Sequence, residues 1–401
     1  MATQSIDENN SNNNLELIAR LNNRINDTLR ALTENNQEIP NLTPESNINI
    51  ENIVSTQSNS DIEDENKRVE INKNYTDDEF FYADNEELFK SELEKAKTED
   101  LEYEYTNVLN GSNNTFGLEI EFEEGNANKI AKELYDLGIC GYDHQVNYHA
   151  PSISGKWKLE KDISVSGGEL VSPPLKDTPE TWKTLEKVCA VAKKYGAKSN
   201  RDSCGGHVHI GIEPLDTSSE RWKRFLKSSG GFEDVMFRVS GGDNGVVRSD
   251  VSLYARRFAP NAKRGLNRDL PMINFLDVRS YTRSVSGRDR YQAINLTNIY
   301  RGKQNTIEFR SFNSSLDPRI LQNNVKISNG ILFASEKAKT SNDSESNSMK
   351  RRGSILENQI IGSENRNNDK SVRDFVDVIF TRKKDKDSAL KLYAKNTWYN
   401  G

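Results

Sequence analysis

Residues 115–123 read Thr-Phe-Gly-Leu-Glu-Ile-Glu-Phe-Glu. Side chains of an extended chain alternate between two faces, so Leu118, Ile120 and Phe122 share one face and Glu119, Glu121 and Glu123 the other. That pattern predicts a half-buried strand. Two later stretches repeat it. In Gly-Gly-His-Val-His-Ile-Gly (205–211), Val208 and Ile210 oppose His207 and His209. In Asn-Thr-Ile-Glu-Phe-Arg (305–310), Ile307 and Phe309 oppose Glu308 and Arg310. Trp-Lys-Leu-Glu (157–160) and Glu-Leu-Val (169–171) read as paired strands around Gly167-Gly168.

Helical patterns separate these strands. Thr178-Pro179-Glu180 is a capping hydroxyl followed by proline at the first helical position. Trp182, Leu185, Val188, Cys189 and Ala192 then line one helix face. Asp317-Pro318 opens another helix, carrying Ile320, Leu321 and Val325. Short alternating strands between helices predict an α+β fold with an antiparallel sheet.

Each strand carries one apolar and one ionisable face. A single Glu-x-Glu is more often a solvated face than a site. Here the polar faces hold Glu, His and Arg, with no Lys. Two carboxylates about 7 Å apart repel by roughly 2 kcal/mol at an effective dielectric near 20. A divalent cation removes that cost, and carboxylates with imidazole suit Mg²⁺ or Mn²⁺. All four histidines (144, 149, 207 and 209) fall in the same region. Asp162 and Ser164 share a strand face, and turn chemistry accounts for both as readily as a ligand role does. Cys204 lies three residues before His207, a weak pattern for a nucleophile pair.

The chain has 401 residues, a net charge of −6 and 34% hydrophobic residues, fewer than a uniformly globular chain carries. Fifteen of the first 60 residues are Asn. The expected organisation is therefore a mostly disordered extension over 1–110 with a short helix at 14–33. A domain at 115–335, a polar linker at 337–372 and a helical segment at 373–401 follow. The aromatic cluster Phe80-Phe81-Tyr82 is placed to dock on the domain or on a protein partner. No stretch approaches 18 apolar residues and no secretory leader is evident, so a cytoplasmic protein without a membrane partner is expected. Three cysteines exclude a disulfide framework. A P-loop motif and a G-x-S-x-G elbow are absent. Residues 61–100 hold 15 acidic and 6 basic side chains, a net of −9; residues 221–310 hold 18 basic and 8 acidic ones, a net of +10. The basic block points to an anionic ligand.

The segments G-L-E-I-E-F-E, D-x-S…E-L-V-S-P-P, G-G-H-V-H-I-G, R-Y-x-x-x-N and I-E-F-R-S-F, in this order, resemble the amidoligase family of carboxylate–amine ligases. Its relatives include glutamine synthetase and the glutamate–cysteine ligases. The resemblance covers about 115–335. It implies a curved, mostly antiparallel sheet with helices on its outer face, flanked by polar, largely disordered tails. It also implies ATP, with two or three Mg²⁺ or Mn²⁺ ions, forming an amide through an acyl-phosphate. By position, Glu119, Glu121, Glu169, His207 and Glu308 match metal ligands. His209 matches a phosphate contact, and Arg290 and Asn295 nucleotide or substrate contacts. Arg310 matches the arginine on the transferring phosphate, and Glu121, Glu308 and Arg310 form the expected catalytic set. The basic block would then be a phosphate funnel, with Gly241–Gly245 as a lid.

The substrate implied is an amino acid, peptide or protein carboxylate with an amine co-substrate; nucleic acid is disfavoured. Two other readings stay open. One is a metal-dependent hydrolase using the same Glu and His residues. The other is a non-enzymatic scaffold with a basic anion-binding patch.

Overall fold

The computed structural model describes residues 80–248, 251–268, 272–341, 346–362 and 368–398. The expected helix at 14–33 and the Asn-rich stretch around it lie outside the described residues.

Seven strands form one sheet: β1 (Phe116–Glu124), β2 (Lys158–Glu160), β3 (Gly168–Val171), β4 (Ala197–Lys198), β5 (Gly206–Gly211), β6 (Ile294–Asn295) and β7 (Thr306–Phe309). Their order is β2-β3-β1-β5-β7-β6, with β4 paired to the end of β1. Every pairing is antiparallel. The α+β class with an antiparallel sheet is therefore as the alternation predicts.

The longer helices in chain order are α1 (Glu86–Ala96), α2 (Ala127–Asp136), α3 (Pro179–Lys194), α4 (Ser219–Gly231), α5 (Glu233–Val239) and α6 (Ala259–Leu266). Then come α7 (Phe275–Ser286), α8 (Pro318–Lys337), α9 (Asn347–Glu357), α10 (Asp369–Ile379) and α11 (Lys383–Lys395).

The apolar strand face makes the core. Leu118, Ile120, Phe122, Val208, Ile210, Ile307 and Phe309 are buried in one cluster with Trp182, Leu185 and Val188 of α3. Each such side chain contributes about 1.5–3 kcal/mol by leaving water. The Thr178 hydroxyl accepts from Thr181 N at the start of α3, as the capping signal predicts. Close backbone approach explains Gly167: a Cβ there would strike the Phe122 carbonyl oxygen. The turn between β2 and β3 therefore folds tightly onto β1.

The folded body extends beyond both expected boundaries. Residues 80–110, expected to be mostly disordered, contain α1 and bury Phe81, Tyr82, Phe89, Val108 and Leu109. The expected linker over 337–372 contains α9, with Met349, Arg352 and Leu356 buried. The reason is a set of long-range polar clamps. Asp377 of α10 accepts from the Tyr82 and Ala83 amides at 3.1 and 3.0 Å, and pairs with Lys386 of α11 at 2.9 Å. Lys386 also donates to the Phe80 carbonyl. The aromatic cluster thus docks on this chain's own C-terminal helices. On α8, buried Lys326 joins Glu104 at 2.5 Å and Asp385 at 3.1 Å.

Candidate active site

Directly opposed residues of an antiparallel ladder share a face. Glu160 of β2 stands opposite Glu169 of β3, and Glu169 opposite Glu121 of β1. Glu119 stands opposite His207 of β5, His209 opposite Glu308 of β7, and Glu308 opposite Asn295 of β6. Six strands therefore deliver Glu, His and Asn to one face, opposite the apolar core.

Glu119 is the centre of the cluster. Its Oε2 lies 2.8 Å from His207 Nδ1 and its Oε1 lies 3.1 Å from His209 Nε2. Glu308 Oε1 is 3.6 Å from His207 Nδ1. The other oxygen of Glu308 accepts from Asn295 Nδ2 at 2.5 Å, and Arg310 donates to Oε1. Glu121 Oε2 accepts from the Gly205 amide at 2.5 Å.

Two triads of side chains are spaced to hold a cation. One is Glu119, Glu169 and His207; the other is Glu119, His209 and Glu308. In each, the ligand atoms lie within 4.8 Å of one another. Both triads use Glu119. Carboxylates with imidazole are the donors that Mg²⁺ and Mn²⁺ accept. A buried polar atom supports the fit: His209 Nδ1 has no hydrogen-bond partner among the described residues.

Electrostatics separates the carboxyl groups. Burial pushes Glu169 up, and repulsion from Glu119 and Glu121 pushes it further, well above the usual carboxylate range. Burial also raises Glu121, against the charges of His207 and Arg248. Burial alone would raise Glu119, but the His209 charge and the hydrogen bonds from His207 and His209 hold it well below that range. Burial opposes protonation of His209, yet Glu119 outweighs it and lifts this histidine to about 9. The face thus sets Glu119, held low, beside Glu121 and Glu169, held high.

Eight of the nine expected residues gather here: Glu119, Glu121, Glu169, His207, His209, Asn295, Glu308 and Arg310. Arg290 does not touch the cluster. It is exposed, with its guanidinium 4.9 Å from the Tyr291 ring centroid and its side chain against Tyr148. The third glutamate, Glu123, is tied to Ser166 N and Ser203 Oγ, each at 2.8 Å. Asp162 accepts from Ser164 N at 2.7 Å, as a turn residue does, although its charge reaches Glu121 and Glu169.

Residues 112–332 match a family described as "Putative amidoligase enzyme". The chain belongs to the amidoligase family. The match spans more than half of the chain and includes all seven strands and every expected site residue. Searches of the curated proteins and of the solved structures gave no match. In this amidoligase α1 and α9 to α11 lie outside the matched region.

Three further side chains belong to the site without a motif that marks them. Lys158 and Glu160 lie on the same face, form a buried ion pair, and continue the carboxylate row through β2. Their two-residue spacing was the available signal. Arg248 is 2% exposed, approaches Gly205 and donates to the Arg310 carbonyl at 3.2 Å. It lies in an aperiodic loop, so pattern gave no signal for it.

Part of the basic block is spent inside the packing rather than on an anion. Arg224 donates to Ser335 O, Arg238 to Tyr393 O and Asn396 O, and Arg257 pairs with Glu233 and Asp234. These arginines satisfy carbonyls and acids within the packing. Gly241–Gly245 is not a lid either. Asp243 within it accepts from Ser199 and Ser315 hydroxyls at 2.5 Å, and the Gly245 carbonyl accepts from Thr397 N at 2.8 Å. Cys204 is buried, and burial pushes its thiol up to about 11, which disfavours a nucleophile. Among the described residues no helix is long and apolar enough to cross a membrane.

Proposed function

We propose that this amidoligase joins a carboxylate to an amine at the Glu/His face, using ATP and Mg²⁺ or Mn²⁺ and passing through an acyl-phosphate. The substrates in this reading are an amino acid, peptide or protein carboxylate and an amine. The sheet would then be a glutamine synthetase-like catalytic sheet. One observation carries the reading: Glu119 belongs to both cation-spaced triads, and Arg310 stands beside them on Glu308.

Phosphoryl transfer asks a protein for positioning and charge neutralisation more than for covalent help. Divalent ions held by Glu119, Glu121, Glu169, His207 and Glu308 would supply that neutralisation. The chain's own residues do the rest. Glu308 and Asn295 fix the Arg310 end of the face, and Arg310 presents a planar donor set suited to a phosphate. His209, on the same face beside Glu119, would contact the phosphate.

Hydroxylamine traps acyl-phosphates as hydroxamates, which gives a direct test. The full chain would be incubated with ATP, Mg²⁺, hydroxylamine and a mixture of common amino acids and dipeptides. ATP-dependent hydroxamate is the expected result. Hydrolysis of peptide or amide bonds that needs metal but no nucleotide would contradict the proposal and favour the hydrolase reading.

A further inference from the structure

Helix α7 has two sharply different sides. Val278, Tyr281, Thr282 and Val285 face the core. Phe275, Leu276, Arg279 and Arg283 recur at three- and four-residue spacing along the outer side and are exposed. Leu276 is 69% exposed, Phe275 50% and the preceding Ile273 80%. Large exposed apolar side chains clustered in this way mark interaction surfaces more often than singly scattered ones do. The Asn274 side chain accepts from the Leu276 and Asp277 amides, so the apolar tip sits at a capped helix start.

The cations of neighbouring elements extend this stripe. Helix α7 packs against α6 and against the helical turn Thr297–Tyr300. A Cβ at Gly287 would lie 3.2 Å from Arg264 Nη1, so Arg264 of α6 adjoins Arg288. A Cβ at Gly302 would lie 3.1 Å from Arg279 Cζ, so Arg279 adjoins Arg301 and Lys303. Arg264, Arg279, Arg283, Arg288, Arg301 and Lys303 are all exposed. None of the six forms an ion pair among the described residues, unlike the arginines buried elsewhere in the basic block. Asp277 is the one acidic residue of α7, and its carboxylate accepts from the Ile273 amide.

We infer that the outer side of α6 and α7 docks on an anionic lipid surface, with Ile273, Phe275 and Leu276 entering the interface and the six cations meeting headgroups. Peripheral docking needs no spanning helix, so it revises the expectation of no membrane partner without requiring one. Apolar side chains beside a field of Arg and Lys are what an interfacial helix presents. A nucleic acid would use the charges but leave Ile273 and Leu276 without a role, since bases stack on aromatic planes.

The test is co-sedimentation of the full chain with phosphatidylcholine vesicles, with or without phosphatidylserine, at low and high salt. Partition that requires phosphatidylserine and weakens with salt is expected. An Arg279→Glu, Arg283→Glu double variant should lower it by about tenfold or more. An Ile273→Ser, Leu276→Ser variant should lower it at both salt concentrations, because its loss is not screened. Circular dichroism and thermal melting should be unchanged for both, as every altered side chain is exposed. The proposal fails if wild-type protein ignores phosphatidylserine or if neither variant alters partition. It also fails if single-stranded DNA is bound while vesicles are not.

Discussion

Glu121 and Glu169 stand directly opposite each other across the β1–β3 ladder, both buried. Burial raises both carboxyl groups, and repulsion from Glu119 and Glu121 raises Glu169 further. Native protein therefore binds more protons than unfolded chain above the ordinary carboxyl range, and that contribution to stability is lost as pH rises. Removing either charge should help the metal-free protein. Glu169→Gln is expected to raise its unfolding free energy at neutral pH by on the order of 1 kcal/mol. Mg²⁺ or Mn²⁺ should raise the melting temperature of wild type more than that of the variant, which keeps the second triad. Urea titrations with and without metal check both statements.

His209 supplies a second pH effect of defined position. Its folded value is raised to about 9 by Glu119 against burial, from an ordinary value near 6.5. A raised basic group stabilises the native state fully below its unfolded value, and that stabilisation fades as pH climbs through the folded one. Stability of the metal-free protein should fall between about 6.5 and 9. His209→Gln should flatten that limb in urea melts across the pH range.

Arg310 tests the charge geometry. Lysine keeps the charge but lacks the planar donor fork. Arg310→Lys is expected to lower kcat by about 100-fold or more, in line with loss of one transition-state donor. Its thermal melt should remain near wild type. An unchanged kcat would remove Arg310 from the phosphate role.

The Asp377–Lys386 pair tests the clamp that extends the body. It is fully buried and holds the Tyr82 and Ala83 amides. Removing one partner of such a pair costs about 3–5 kcal/mol. Asp377→Ala should therefore lower unfolding free energy by that order and free residues near Tyr82 to proteolysis. Glu86→Ala, which breaks an exposed pair with Lys90, should change little.

The site was legible in the sequence because alternation is local. Glu119, His207 and Glu308 each announced a polar face within their own strands, and antiparallel register joined those faces. Arg310 shared the polar face of Glu308 by the same alternation, while its phosphate role and Asn295 followed from resemblance. Arg248 was not legible, because its loop has no period and only the tertiary fold brings it to Gly205. The wrapped ends failed for a similar reason. Lys326, Asp377 and Asp385 look like surface charges in sequence, and only partners some tens to hundreds of residues away let them be buried. Arginine counts misled most. Arg224 and Arg238 satisfy backbone carbonyls, a demand that composition does not reveal.

The most direct test of the account is nucleotide binding at the Glu119 face. Isothermal titration of a non-hydrolysable ATP analogue into the full chain would be run with Mg²⁺, without it, and with the Glu119→Gln variant. Binding that requires Mg²⁺ and is lost in Glu119→Gln, whose fold is otherwise intact, is the expected result. Absence of binding to wild type in Mg²⁺, or equal binding to the variant, would contradict it.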